Sequence, residues 1–192
     1  NKRSITLNLK TEEGVAIFKK MAETADVIVE NYRPDVKFRL GVNYETIRAI
    51  NPAIVYASIS GFGQDGPIAK RPGFDQIAQG MGGLMSITGQ PDGSPGSGPM
   101  KVGVAVCDLF TGMFAANAAL AALAYRSRTG IGQHIDCALL DSQISMLANQ
   151  SANWLNAEIC PGRMGNSHPS VVPYTVYEAK DGFVIIACGN DK

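Results

Sequence analysis

Strand, helix, strand, helix and strand follow one another over residues 4–59, an order that predicts an α/β fold with a parallel sheet covered by helices, a Rossmann-like large domain. Three observations carry that reading. Asp26-Val27-Ile28-Val29-Glu30 and residues 53–59 are short apolar runs of the kind that form strands buried on both faces. Residues 11–24 place Val15, Ile17, Phe18, Met21 and Ala22 at roughly helical spacing. Beyond a long apolar segment that begins near Asp108, Gln133-His134-Ile135-Asp136-Cys137-Ala138 reads as a further strand.

Each element has its own local cause. Ser4-Ile5-Thr6-Leu7-Asn8-Leu9 alternates polar and apolar residues, which predicts a strand. Thr11 is a natural N-cap for the first helix, with Glu12 and Glu13 in its first turn. Pro34 suits the first turn of a helix over 35–40, and Gly41 separates it from a second over 44–50. Gly73-Phe74-Asp75-Gln76-Ile77-Ala78 opens a helix that gives way at Gly80 and Gly82-Gly83. The helix near Asp108 is expected to end at Gly130, with Arg126 and Arg128 facing its negative end, and to be buried on all sides. Residues 139–154 read as one long helix and 156–173 as a linker rich in Gly, Pro, Asn and Ser. Residues 175–177 and 183–188 form a hairpin-like pair turning at Lys180-Asp181-Gly182. The expected organisation is a large domain over 1–155 and the start of a smaller one over 156–192.

Composition excludes several functions. Of 192 residues, 45% are apolar and 18% charged, enough to bury a core. Seventeen basic residues balance seventeen acidic ones, so no field of one sign recommends nucleic acid or an anionic membrane. The four cysteines lie far apart with no C-x-x-C pair, which suits reduced thiols better than a disulfide framework or zinc site. With no signal peptide and no uninterrupted apolar run near membrane-spanning length, the expectation is a soluble protein of the cytoplasm, or of the mitochondrial matrix in a eukaryote. The first strand signal follows directly on Asn1-Lys2-Arg3, and the last ends near Lys192, so the chain reads as part of a longer protein.

Ligands of parallel α/β sheets gather at the carboxyl ends of strands, which nominates Glu30-Asn31-Tyr32-Arg33 and Ser60-Gly61-Phe62-Gly63. Gly61-Phe62-Gly63-Gln64-Asp65-Gly66 also satisfies G-x-G-x-x-G. A dinucleotide fingerprint needs a helix opening at its last glycine, and Pro67 and Pro72 forbid one here. The glycines are read instead as a turn that admits a ligand close to the backbone. Asp108, at the mouth of the longest apolar segment, has two readings: a helix N-cap accepting the N–H of Phe110 or Thr111, or a nucleophile at a helix N-terminus.

Together these strings resemble the class III CoA-transferase family, which also includes the 2-methylacyl-CoA racemases. They are Asn1-Lys2-Arg3-Ser4, Glu30-Asn31-Tyr32-Arg33-Pro34, Tyr56-Ala57-Ser58-Ile59-Ser60-Gly61-Phe62-Gly63-Gln64, Arg71-Pro72-Gly73-Phe74-Asp75, Val104-Ala105-Val106-Cys107-Asp108, Arg128-Thr129-Gly130-Ile131-Gly132-Gln133 and Val172-Pro173-Tyr174. The resemblance implies that Asp108 is a nucleophile passing CoA through an aspartyl-CoA thioester, with no metal needed. It implies that Asn31, Tyr32, Arg33 and Arg39 line the CoA site, the arginines pairing with phosphates, and that Gly61, Phe62 and Gly63 belong to it. Phe74 and Asp75 then stand beside the thioester, Asp75 positioning the acid, relaying a proton, or capping its own helix. By the same resemblance the ligands are acyl-CoA and a carboxylic acid, with dicarboxylates such as succinate favoured, and the full protein is an interlocked homodimer whose first β-α unit lies before Asn1.

Two other readings stay open. The racemases carry a proton-transferring His where Phe74 stands, and a phenyl ring moves no proton, so the isomerase reading lacks its second base. His134 reads as structural, and His168 as a weak candidate for touching the acyl group. The third reading is an inactive CoA-binding fragment.

Overall fold

The computed structural model describes residues 1–190. Two compact units emerge: one made of Asn1–Ala78 with Ala105–Gln143, the other of Gln79–Val104 with the residues from Ile144 onward.

The first unit holds a three-stranded parallel sheet in the order β1 (Val27–Glu30), β2 (Val55–Ser60), β3 (Gln133–Ala138). Val27 pairs with Val55 and Val55 with Gln133, so the carboxyl ends of all three strands rise together. Side chains alternate across β2. Val55 and Ala57 join Ile135, Cys137, Ala115 and Ala122 in a core against the long helix α6 (Val106–Thr129). Ile54 and Tyr56 face the other way, into a core with Ala22 and Ile47 from α1 (Glu12–Ala22) and α3 (Tyr44–Ile50). The sheet is thus covered on both faces, as its near-continuous apolar strands require.

Local chemistry sets the helix ends. Thr11 Oγ1 accepts the N–H of Gly14 at 3.2 Å to cap α1. Helix α2 (Pro34–Leu40) begins on Pro34 and stops at Gly41, whose φ of 64° is left-handed. Helix α6 ends at Gly130, also left-handed, where Arg126 reaches Asp26 Oδ1 at 2.7 Å and ties the helix to the start of the sheet.

Three sequence expectations change. Residues 4–9 form no strand; the segment is mostly exposed and turns at Asn8, whose carbonyl accepts the N–H of Thr11. Alternation selects a face, but a strand also needs a neighbour offering its ladder. The helix expected over 139–154 is two helices, α7 (Leu139–Ser145) and α8 (Asn149–Ala157), with Ala148 between them at φ 48°. The chain passes from the first unit to the second at Gln143–Ile144, close to this break, and no Gly or Pro announces it. Helix α6 is not buried on all sides. Its small residues Ala115, Ala118, Ala119 and Ala122 pack on the sheet, while Leu109, Met113 and Leu120 are exposed. By length and composition alone this helix would cross a membrane, yet one of its faces is committed to the sheet.

In the second unit, α5 (Leu84–Ile87) and the glycine-rich loop after it are bonded to the segment that follows α8. Gly165 N–H donates to Gly89 O at 2.9 Å, and Arg163 reaches Ser86 O at 3.2 Å and the Asp92 carboxylate. Strands β4 (Tyr174–Ala179) and β5 (Gly182–Ala187) form the expected antiparallel hairpin.

Candidate active site

At the carboxyl end of the sheet lies a cavity of about 430 Å³ lined by Asn31, Ile59, Gly61, Gly73, Phe74, Asp75, Asp108, Gly112 and Leu139. Strand ends, the starts of three helices and the loop before Asp75 converge there. Helix α4 (Asp75–Met81) opens on Asp75 itself. The loop before α4 is held by two glycines back to back: a Cβ on Gly61 would meet the Gly73 backbone at 2.4 Å, and one on Gly73 would meet Gly61 Cα at 2.2 Å. Only hydrogen at both positions lets Phe74 and Asp75 come up against the end of β2. Asn31 is fixed from the other side, its Nδ2 donating to Ile59 O at 2.8 Å.

Asp108 is not the cap of α6. The N-cap residue is Ala105, and Asp108 stands in the first turn. Part of the capping falls to Asp75, whose Oδ1 accepts the Cys107 N–H at 2.8 Å. One carboxylate of the cavity therefore holds the turn that carries the other. Burial, then the charge of Asp75, holds the Asp108 carboxyl above the usual 3.8. Cys107 is no rival nucleophile: burial first, then Asp75, pushes its thiol up to about 12.

The CoA-binding candidates fall in adjoining recesses. Asn31, Tyr32, Arg33, Gly61 and Phe74 line one of about 250 Å³. Tyr32 and Arg39 line a larger, open cavity of about 900 Å³, together with Lys10 and Lys19. Phe62 and Gly63 line none of the three; the Gly63 N–H donates to Ser60 Oγ at 3.0 Å within the turn. No helix opens at Gly66, in keeping with the rejected dinucleotide reading.

Beneath the site is a polar group that sequence reasoning missed. Lys37, 2% exposed, donates to Glu30 Oε1 at 2.7 Å, to Ser58 Oγ at 2.8 Å and to Gln64 Oε1. A lysine ammonium only donates, so Ser58 Oγ accepts from it and can send its own proton to His134 Nε2, 2.9 Å away. That arrangement fits a neutral His134 protonated on Nδ1, its pKa lowered first by burial and then by the Lys37 charge. His134, stacked on Tyr44 with centroids 4.7 Å apart, has a structural place, as expected. In the second unit, His168 Nδ1 accepts the N–H groups of Ser170 and Val171, holding its own turn. The one legible signal for the Lys37 group was Glu30, an acid ending an apolar strand.

The fold is a helix-covered parallel sheet, and the carboxylate pair lies in a cavity at its carboxyl end, the place where ligands of such sheets gather. The family model described as CoA-transferase family III matches residues 1–192, and the chain belongs to that family. A succinate–glutarate CoA-transferase of Agrobacterium fabrum is 52% identical over 99% of this chain and 46% of its own length. An acetyl-CoA:oxalate CoA-transferase of Acetobacter aceti is 45% identical over 99% of this chain and 48% of its own. A crystal structure of a CAIB/BAIF family protein from Brucella suis superposes with a TM-score of 0.89 at 48% identity, covering 98% of this chain and 49% of that one. The chain spans just under half the length of these relatives.

Proposed function

We propose that the full protein transfers CoA from an acyl-CoA donor to a free dicarboxylic acid, with Asp108 as nucleophile. The observation that carries this reading is the placing of Asp108 in one cavity with Asp75 and Phe74, a lining that holds a second carboxylate and no histidine. The similar proteins are named for succinate, glutarate and oxalate, which supports dicarboxylates as the acids exchanged. Apart from His168, the candidate residues lie within 1–155.

In this reading an Asp108 oxygen attacks the thioester carbonyl and CoA thiolate leaves, giving a mixed anhydride. The thiolate then attacks the Asp108 carbonyl carbon and releases the donor acid, leaving an aspartyl-CoA thioester. The acceptor carboxylate attacks that thioester, CoA leaves again, and its return to the new anhydride frees acyl-CoA and Asp108. A carboxyl held above its usual pKa is a more basic, hence better, nucleophile once ionised. Asp75 keeps the turn in place through Cys107. Arg33 and Arg39, with Lys10 and Lys19, offer cations to the CoA phosphates.

The test is chemical. Full-length protein incubated with succinyl-CoA and then hydroxylamine or borohydride is expected to carry the modification on Asp108. Asp108→Asn is expected to abolish acid exchange and labelling without unfolding. α-Proton exchange without acid exchange points to the isomerase instead, and CoA binding with neither reaction points to a binding-only protein. The acid limb of kcat/KM adds a second check: activity falls as pH drops through the raised Asp108 pKa. Asp75→Asn, which keeps an acceptor for Cys107 but removes a charge, is expected to move that limb to lower pH. An unmoved limb counts against the coupling.

The proposal extends to a reducing compartment, cytoplasm or mitochondrial matrix, supported by Cys107, Cys137, Cys160 and Cys188 all being free thiols. It extends also to a homodimer, supported by the exposed apolar side chains of α6 and testable by light scattering.

A further inference from the structure

We infer that Lys37 is a positioning residue for the CoA site, an inference that rests on the transferase reading above. Its ammonium has three protons and meets three acceptors, each on a different part of the site's support. Glu30 ends β1, and its second oxygen accepts the Tyr32 N–H at 2.8 Å, which fixes the backbone of the Asn31-Tyr32-Arg33 segment. Ser58 belongs to the central strand β2. Gln64 closes the glycine turn, and its N–H donates to Asp136 Oδ2 at 2.8 Å on β3. One buried cation therefore joins the end of β1, the central strand β2 and the glycine turn, and that turn is in turn bonded to β3 through the Gln64 N–H.

Neither Lys37 nor Glu30 lines the cavity that holds Asp108, so they touch no reacting atom there. Stability alone does not account for them either. A buried ion pair is commonly matched or exceeded in stability by apolar side chains of similar volume. What an apolar pair cannot supply is direction: three bonds from one nitrogen set where Tyr32 and Gln64 stand relative to each other. The consequence for catalysis is a KM effect, because the Asn31-Tyr32-Arg33 segment would contact CoA equally in ground and transition states.

Three variants of the full-length protein test this, read by melting temperature and by kcat and KM for succinyl-CoA. Lys37→Met alone is expected to melt lower and to raise KM. Glu30→Leu with Lys37→Met is expected to recover most of the melting temperature, while KM stays raised roughly tenfold and kcat falls by less than about threefold. Gln64→Leu, which removes one of the three Lys37 acceptors and frees the glycine turn, is expected to raise KM roughly threefold and to lower melting by less than Lys37→Met does. A double variant with wild-type melting and wild-type KM overturns the inference. If the double variant does not fold, Gln64→Leu decides, and an unchanged KM there overturns it. Unmodified protein that neither binds nor exchanges acyl-CoA sinks the transferase reading and this inference with it; active unmodified protein with unaltered variants sinks the inference alone.

Discussion

The two faces of α2 carry charges in opposite circumstances. Inward, Lys37 and Glu30 meet at 2.7 Å with side chains 2% and 6% exposed. Outward, Arg33 and Arg39 stand 3.8 and 3.7 Å from a single carboxylate, Asp35, and all three are open to solvent. The inner contacts are short, saturated and dry, so their geometry is fixed and breaking one partner is costly. The outer contacts are long and wet, and such pairs are worth about 0–1 kcal/mol. A guanidinium held so weakly can leave Asp35 for a ligand phosphate at little cost. A tight inner contact and two loose outer ones thus meet at one seven-residue helix and the arginine that precedes it.

The largest expected effect breaks the inner face. Lys37→Met leaves a buried Glu30 carboxylate without its cation and is expected to cost about 3–5 kcal/mol of unfolding free energy, measured by denaturant titration. A loss below about 1 kcal/mol would mean that water reaches Glu30 and that the two faces do not differ as described.

An intermediate effect tests the outer face. Replacing Arg33 and Arg39 together by Ala is expected to raise KM for acyl-CoA roughly tenfold at low ionic strength, with a smaller difference in high salt. Stability should stay within about 0.5 kcal/mol, as for surface substitutions elsewhere. A KM that does not respond to salt would place both arginines outside the CoA phosphates.

Much of this arrangement could be read from the residues, and the parts that could not share a cause. Pro34 and Gly41 bracket α2 because the ring of one and the left-handed φ of the other are local requirements. The strands announced themselves by apolar runs, and Asp108 by its place near the start of the longest apolar segment. Lys37 was invisible because a lysine in a short amphipathic helix reads as solvent-facing, and its acceptors Glu30, Ser58 and Gln64 lie 7, 21 and 27 residues away. The Asp75 bond to Cys107 spans 32 residues and was hidden for the same reason. Helix α6 misled differently: its composition could not say that the alanines would face the sheet and leave Leu109, Met113 and Leu120 outside. Ser4 to Leu9 had the period of a strand and lacked only a partner, which no period encodes.

The smallest expected effect is the most discriminating for the outer face. Asp35→Asn removes the one carboxylate that both arginines approach, and it also removes an acid from the first turn of α2. The second loss weakens the helix by roughly 0.3–1 kcal/mol through its dipole, and the lost surface pairs add little. If Asp35 merely competes with phosphate for the guanidiniums, the variant binds acyl-CoA slightly better, with KM falling by up to about threefold at low salt. If Asp35 instead aims the guanidiniums, KM rises toward that of the double arginine variant. A rise would mean that the rim, too, is built for geometry, and the contrast between the faces of α2 would then be one of degree.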